Sequence, residues 1–291
     1  MERKLVLRGV LAGGLAGLVT FVFARIVAEP HIQAAIDYES GRDAAQAALD
    51  RAAGAAAEAE GMEVFSRAVQ ANVGAGVGIV LFGVAMGALH AVAFTFCLGR
   101  VGRLRARALA LLTASGGFVG LYLVPFLKYP ANPPAIGRPE TIWDRGNLYL
   151  VMVGCSVAFL VAAVVLGRWL QARFGTWNAS LLAGAAFVVA IGIVAAVLPS
   201  FGELTANVAA SGHRATETPL PLTDAHGAIV YPGFPADTLY SFRLASVAAQ
   251  LLLWATLGLV FAPMAERLLL REVTASGTAA SSASDPVVGA A

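Results

Sequence analysis

The chain has 291 residues, of which 58% are hydrophobic and 13% charged, with a formal net charge of +2. A soluble domain carries roughly a quarter charged residues, so a water-soluble globular protein is excluded, and a net charge this small says nothing by its sum about an acidic or basic partner. The apolar residues come in long blocks without a period of two, which points to helices and away from a lipid-facing barrel.

Six blocks reach the ~20 residues needed to cross ~30 Å of hydrocarbon. They are Leu5–Val27, Asn72–Leu98, Ala108–Leu127, Asn147–Gly167, Ala179–Leu198 and Leu244–Pro263. The predicted fold is all-α: a polytopic membrane helix bundle of about six transmembrane helices with two long extracytoplasmic segments. Residues 1–271 form a single transmembrane helical domain, and 272–291, rich in Ser, Ala and Gly, a disordered tail.

The first span opens on Arg3, Lys4 and Arg8. Its apolar stretch is longer than a signal-peptide core, and Ile26–Ala28 is a poor cleavage site, so it is read as retained. Ala28–Ala71 follows as the first long outer segment. Within it Asp37–Arg51 reads as a helix, because Glu39, Arg42, Asp43, Gln46 and Asp50 recur at the helical period. The remainder is Ala/Gly-rich and holds Glu58, Glu60 and Glu63. Glu29, His31, Asp37 and Glu39 supply imidazole and carboxylate donors, a set suited to divalent first-row metals if a loop gathers them. The alternative is a solvated helix start.

Gln70 and Asn72 stand where the second span begins. Deeper in it lies His90, within Gly87-Ala-Leu-His-Ala. An ionisable group at that depth is costly and marks a candidate metal or path residue. The alternative is a neutral imidazole hydrogen-bonded to a neighbouring helix. Gly99–Arg107 then carries Arg100, Arg103, Arg105 and Arg107. Short Arg-rich loops stay cytoplasmic, and this one, pinned between spans and without interleaved aromatics, reads as a topology signal and not as a nucleic-acid site.

After the third span, kinked at Pro125, comes Lys128-Tyr129-Pro130-Ala131-Asn132-Pro133-Pro134. It reads either as a rigid lid carrying Tyr129 and Asn132 or simply as a helix end, since proline cannot continue a helix. A short loop with Arg168 and Arg173 separates spans four and five. The second long outer segment, Pro199–Arg243, is rich in Pro and Gly, with a tight hairpin at Asp224–Gly227 leading into Ile229–Tyr231. It also carries His213 and His226, near Glu217, Asp224 and Asp237. Asp237 reads as the N-cap of the last span, or with Gln70, Asn72, Tyr129 and Asn132 as part of a substrate path or lid. Asn147 and Gln250 are further polar candidates for a pore lining.

With the N-terminus inside, the inner segments hold 11 of the 20 basic residues and four of the 18 acidic ones. Both termini are therefore predicted cytoplasmic, in a multi-pass protein of the cell membrane. Gly9, Gly13 and Gly17 repeat every fourth residue, as do Gly74 with Gly78, Gly83 with Gly87 and Gly116 with Gly120, which suits close helix packing within the bundle. Cys97 and Cys155 read as packing residues and not as a disulfide. There is no phosphate-binding Gly-x-x-x-x-Gly-Lys loop, no Gly-x-Ser-x-Gly elbow and no His-Glu-x-x-His. No enzymatic activity and no permanently bound cofactor is expected.

Four stretches together resemble the predicted cobalt transporter subunit family CbtA. They are Ala28-Glu-Pro-His-Ile-Gln-Ala-Ala-Ile-Asp-Tyr-Glu39, Gln70-Ala-Asn-Val-Gly74, the Pro-rich Tyr129–Gly137, and Phe234-Pro-Ala-Asp-Thr-Leu-Tyr240. The resemblance covers most of Met1 to Arg271. It implies a membrane subunit of a cobalt uptake system working beside a small one-span, histidine-bearing subunit, and it points to Glu29, Glu39, Tyr129–Pro134 and Asp237. The reading that follows is an integral membrane subunit of a divalent metal uptake transporter, with Co²⁺ or a similar ion gathered on the acidic outer face. Lipid is its expected surrounding, no nucleic acid is expected, and a homo-oligomer is left open. The rival reading is a non-transporting scaffold whose outer segments bind a partner protein.

Overall fold

The computed structural model describes residues 2–54, 65–102, 104–134 and 136–283. Glu58, Glu60, Glu63 and Arg103, singled out above, lie outside the described residues. The protein is all-α, 82% helical. Helices long and apolar enough to cross a membrane run over Glu2–Ala52, Arg67–Cys97, Ala106–Lys128, Pro139–Glu203 and Ala236–Glu272.

The six expected runs fall within these five stretches, because the fourth and fifth share one helical stretch, Ile142–Val197, of 56 residues. A straight helix of that length would measure about 84 Å, nearly three bilayers. It breaks at Gly175, whose φ of 72° and ψ of 169° leave the helical region. A Cβ placed on Gly167 would lie 3.3 Å from the Cβ of Ala183, so the chain folds back on itself at Gly175. The loop expected around Arg168 and Arg173 is thus reduced to one residue. Glycine meets no steric penalty at positive φ, and the good helix formers on either side stay helical up to it.

A correction concerns the end of the first span. Helix α1 (Glu2–Phe23) does not end in a loop but passes through a π-helical turn, Ala24–Ala28, into α2 (Glu29–Ala52). Pro30 sits in the first turn of α2, where a missing N–H is tolerated. The same pairing recurs later, where a π turn at Phe118–Leu123 precedes Pro125 in the first turn of Val124–Lys128. The last helix, Ala236–Ala283, also runs further than expected, continuing past Pro263. A proline inside a helix costs about 3 kcal/mol. Here the apolar face around it (Leu257, Phe261, Ala262, Ala265 and Leu268) is buried and offsets that loss.

The chain divides into two compact units. The first comprises Met1–Phe21, Ala75–Ser115 and Leu252–Ala291. Its α1 meets α3 (Ala75–Cys97) along a glycine seam. A Cβ on Gly13 would stand 2.1 Å from the carbonyl oxygen of Gly83, one on Gly9 2.3 Å from that of Gly87, and one on Gly17 2.8 Å from Val80 Cα. Gly9, Gly13, Gly17, Gly83 and Gly87 therefore serve packing within the chain, whereas Gly78 meets open space. Beside the seam, Phe94 and Phe261 meet edge to face at 5.3 Å. Arg8 donates to the carbonyl of Met264, and Arg107 pairs with Glu266.

The second unit comprises Val22–Gly74 and Gly116–Leu251. The predicted hairpin is present: β1 (Leu222–Thr223) pairs antiparallel with β2 (Ile229–Tyr231). One Asp224 carboxylate oxygen accepts from the backbone of His226 at 2.8 Å and of Ala228 at 2.9 Å, and Gly227 turns at φ 81°. Tyr38 of α2 docks against Tyr231 and Phe234, with ring centroids 5.4 and 5.0 Å apart. Its hydroxyl donates to Pro232 O at 2.9 Å, and Arg42 donates to Leu220 O at 2.7 Å. Arg42, on the polar stripe of α2, thus helps to hold the hairpin region.

The seam generates a prediction. Gly13→Leu or Gly83→Leu should lower the detergent-solubilised melting temperature sharply, since overpacking costs about 1–3 kcal/mol or more. Gly78→Ala, which meets open space, should be neutral or slightly stabilising, alanine being the better helix former by ~1 kcal/mol. Fluorescence-detected thermal unfolding of the three variants checks this.

Candidate functional site

The Pro-rich segment after the third span is tied down at both ends. Tyr129 is 2% exposed, stacks on Phe201 at 4.6 Å and donates its hydroxyl to Pro199 O at 2.8 Å. Burial pushes its phenol above the ordinary tyrosine range. Three residues on, the Asn132 side-chain oxygen accepts from Arg243 Nη2 at 2.9 Å, while Arg243 Nε donates to Ala131 O at 3.1 Å. A proline-rich chain has few rotations left, so these two anchors fix the whole run.

Beneath it lies a cavity of about 640 Å³, whose walls include Glu39, Tyr122, Phe126, Arg138, Arg145 and Tyr149. Glu39 reaches it from α2, well beyond Val27 and the apolar run. Its carboxyl is pushed above the usual range, first by burial and then by repulsion from Asp43. Arg145 forms an ion pair at 2.5 Å with Glu217, whose side chain is fully buried. The other Glu217 oxygen accepts from Thr141 Oγ1 and from Asn207 Nδ2, each at 2.9 Å. A second cavity, of about 380 Å³, has Glu217 in its wall, and Gly137 and Arg138 line both cavities. Gly137 has φ 137°, and a Cβ there would come within 2.5 Å of Arg145 Nη1 and 2.7 Å of Glu217 Oε1. The ion pair exists because a glycine leaves room for it.

The other predicted residues are dispersed. Glu29 pairs with Arg67. His31 is half-buried, and the exposed Asp37 accepts from Gln33 at 2.8 Å. With Glu39 they ride one continuous helix, where no loop gathers them. His90 lies in the first unit. Its Nε2 stands 3.0 Å from Ala110 O and 3.0 Å from Thr113 Oγ1, and its ring meets Phe261 edge-on at 4.9 Å. A carbonyl only accepts, so Nε2 carries the proton and the buried Nδ1 is a bare acceptor without a partner.

Gln70 and Asn72 donate to the backbone at Phe65 and Ala68, and Asn72 also accepts from Arg25 at 2.9 Å. Asp237 is exposed in the first turn of its helix, within the helix and not ahead of it. Asn147 is exposed and Gln250 half-buried. His213 meets Glu203 at 2.7 Å. Among the described residues no three His, Cys, Asp or Glu side chains come together as a metal-holding group, and both cysteines are free.

Sequence reasoning missed the Arg145–Glu217 pair. A lone arginine at a span start reads as an interface anchor, and nothing local marks its partner. Leaving one member of a buried ion pair alone costs about 3–5 kcal/mol. Glu217→Leu is expected to lose that much stability, and Glu217→Leu with Arg145→Met less than the two single losses combined. A double-mutant cycle on denaturation midpoints in micelles measures it.

A family model described as probable cobalt transporter subunit (CbtA) matches residues 2–266. No curated protein and no solved structure matches the chain. Since the match runs from the start of the first span past the last apolar run, this multi-pass membrane protein belongs to the CbtA family of probable cobalt transporter subunits.

Proposed function

We propose that the chain is the membrane-embedded subunit through which a divalent metal, Co²⁺ in the first place, enters the cell. The observation that carries this reading is the family match over residues 2–266 on a chain built of membrane-length apolar helices. In this reading both termini are cytoplasmic, as the distribution of arginine favours, and the acid-rich segments face outward. An acidic outer face raises the local cation concentration. A divalent ion moving inward then gains about 4–5 kcal/mol per 100 mV of inside-negative potential, which favours accumulation without ATP hydrolysis.

The donors proposed for the ion are Glu29, His31, Asp37 and Glu39 on the outer helix and His90 within the bundle. Gln70, Asn72, Tyr129, Asn132 and Asp237 flank the path. Glu29 is held by Arg67, so a role as ligand requires that arginine to let go. A small single-span, histidine-bearing partner completes the donor set in this proposal.

The test is uptake of radiolabelled Co²⁺ into proteoliposomes with an imposed inside-negative potential, with and without such a one-span partner. Accumulation above empty liposomes is expected, with losses of tenfold or more for Glu29→Ala and His90→Ala. No accumulation of Co²⁺ or Ni²⁺ under either condition, together with a stably co-purifying protein, would replace this reading with a scaffold.

A further inference from the structure

The cavity under the Pro-rich segment is built for something larger than an ion. A divalent ion with six waters fills about 180 Å³ at roughly 30 Å³ per water, against about 640 Å³ here. That volume falls in the range of small-molecule sites, ~300–1,000 Å³. Five of the eighteen described residues lining it are aromatic, against 9% of the chain. Tyr122 and Phe126 stack at 5.2 Å, one helical turn apart, to make a flat wall. Tyr129, itself buried, is covered by Phe201 at 4.6 Å, so the half-buried Phe201 and Tyr149 supply the remaining aromatic lining. Such faces receive flat, apolar or conjugated groups.

Two polar features select among such groups. Arg145 is already neutralised by Glu217, whereas the Arg138 guanidinium has no hydrogen bond or ion pair among the described residues. A free guanidinium in a wall matches a carboxylate bidentately. The second feature is the Tyr122 hydroxyl, which is buried with no hydrogen-bond partner. Buried polar groups rarely stay unpaired. This one lies in the π turn Phe118–Leu123, an irregularity frequent at functional sites.

We propose that this cavity binds the metal as an organic chelate, a flat carboxylate-bearing complex whose rings lie on the aromatic walls and whose outer carboxylate oxygens meet Arg138. The inference deepens the transport reading above and rests on it for the identity of the metal.

The test uses the full chain in lipid nanodiscs and equilibrium dialysis with three probes: the 1:1 complex of Co²⁺ with pyridine-2,6-dicarboxylate, whose ring, carboxylates and metal share one plane and whose radiolabel is on the dicarboxylate, the same dicarboxylate unlabelled and without metal, and hydrated Co²⁺ from its chloride. Saturable binding of the complex is expected, undisturbed by a tenfold excess of hydrated Co²⁺. Competition by the free dicarboxylate is expected as well, because Arg138 and the rings read the organic part. Arg138→Ala should weaken binding at least tenfold, Arg138→Lys less, and Tyr122→Phe should weaken it with an unchanged melting temperature. The inference is overturned if the complex does not bind saturably, if hydrated Co²⁺ displaces it, or if Arg138→Ala leaves the affinity unchanged. Proteoliposomes that accumulate hydrated Co²⁺ while the nanodiscs ignore the complex would sink this inference and leave the transport reading standing. Binding of the complex without any uptake would do the reverse.

Discussion

Hydrocarbon offers a peptide group nothing to hydrogen-bond with, and most of this structure follows from that. Each apolar run must satisfy its own backbone, so each becomes a helix. With lipid as apolar as leucine, hydrophobic burial does little to hold those helices together, and close packing takes over. The glycine seam between α1 and α3 is the local result. The carbonyl of Gly83 occupies the space a side chain on Gly13 would need. At such separations Cα–H···O contacts add about 0.5–1 kcal/mol each, and dispersion acts over the whole crossing. A single methyl group added at Gly9, Gly13, Gly83 or Gly87 would push the backbones apart.

The same constraint sorts the polar structure. The hairpin, the Pro-rich run and the Glu217 network all come from segments between apolar runs, where backbone groups find water or side chains. The hairpin turn is closed by Asp224, and Arg42 and Tyr38 each cover a carbonyl of the hairpin region.

What was legible beforehand was whatever depends on neighbours in sequence. The positions of the apolar runs follow from composition, the hairpin from Asp224–Gly227, and the seam from glycines four apart. The continuity of the first helix was not legible, because Glu29-Pro30 reads as a stop unless a π turn is known to precede it. The reversal between the fourth and fifth runs was legible from the break in hydropathy around Arg168 and Arg173, but its place was not: one glycine among helix formers looks like a tolerated defect, and only its φ of 72° shows the hinge at Gly175. The candidate site was half legible. The Pro-rich segment and Glu39 stood out by composition and spacing. Arg145 and Glu217 are far apart in the chain, and their meeting depends on Gly137, Thr141 and Asn207 falling into place around them.

That pair carries a further lesson about the site. A buried ion pair is weak evidence for stability, since losing water costs each charge several kcal/mol. Yet Glu217 is held by Arg145, Thr141 and Asn207 together, and Gly137 vacates the space beside it. Four residues serving one carboxylate make sense when what they set is position. They hold Arg145 neutral and stationary in the cavity wall, which leaves Arg138, shared by both cavities, as the charge an incoming anion meets. With Tyr129 and Asn132 pinned above, the cavity is preformed, and a preformed site loses little of its binding energy to ordering itself.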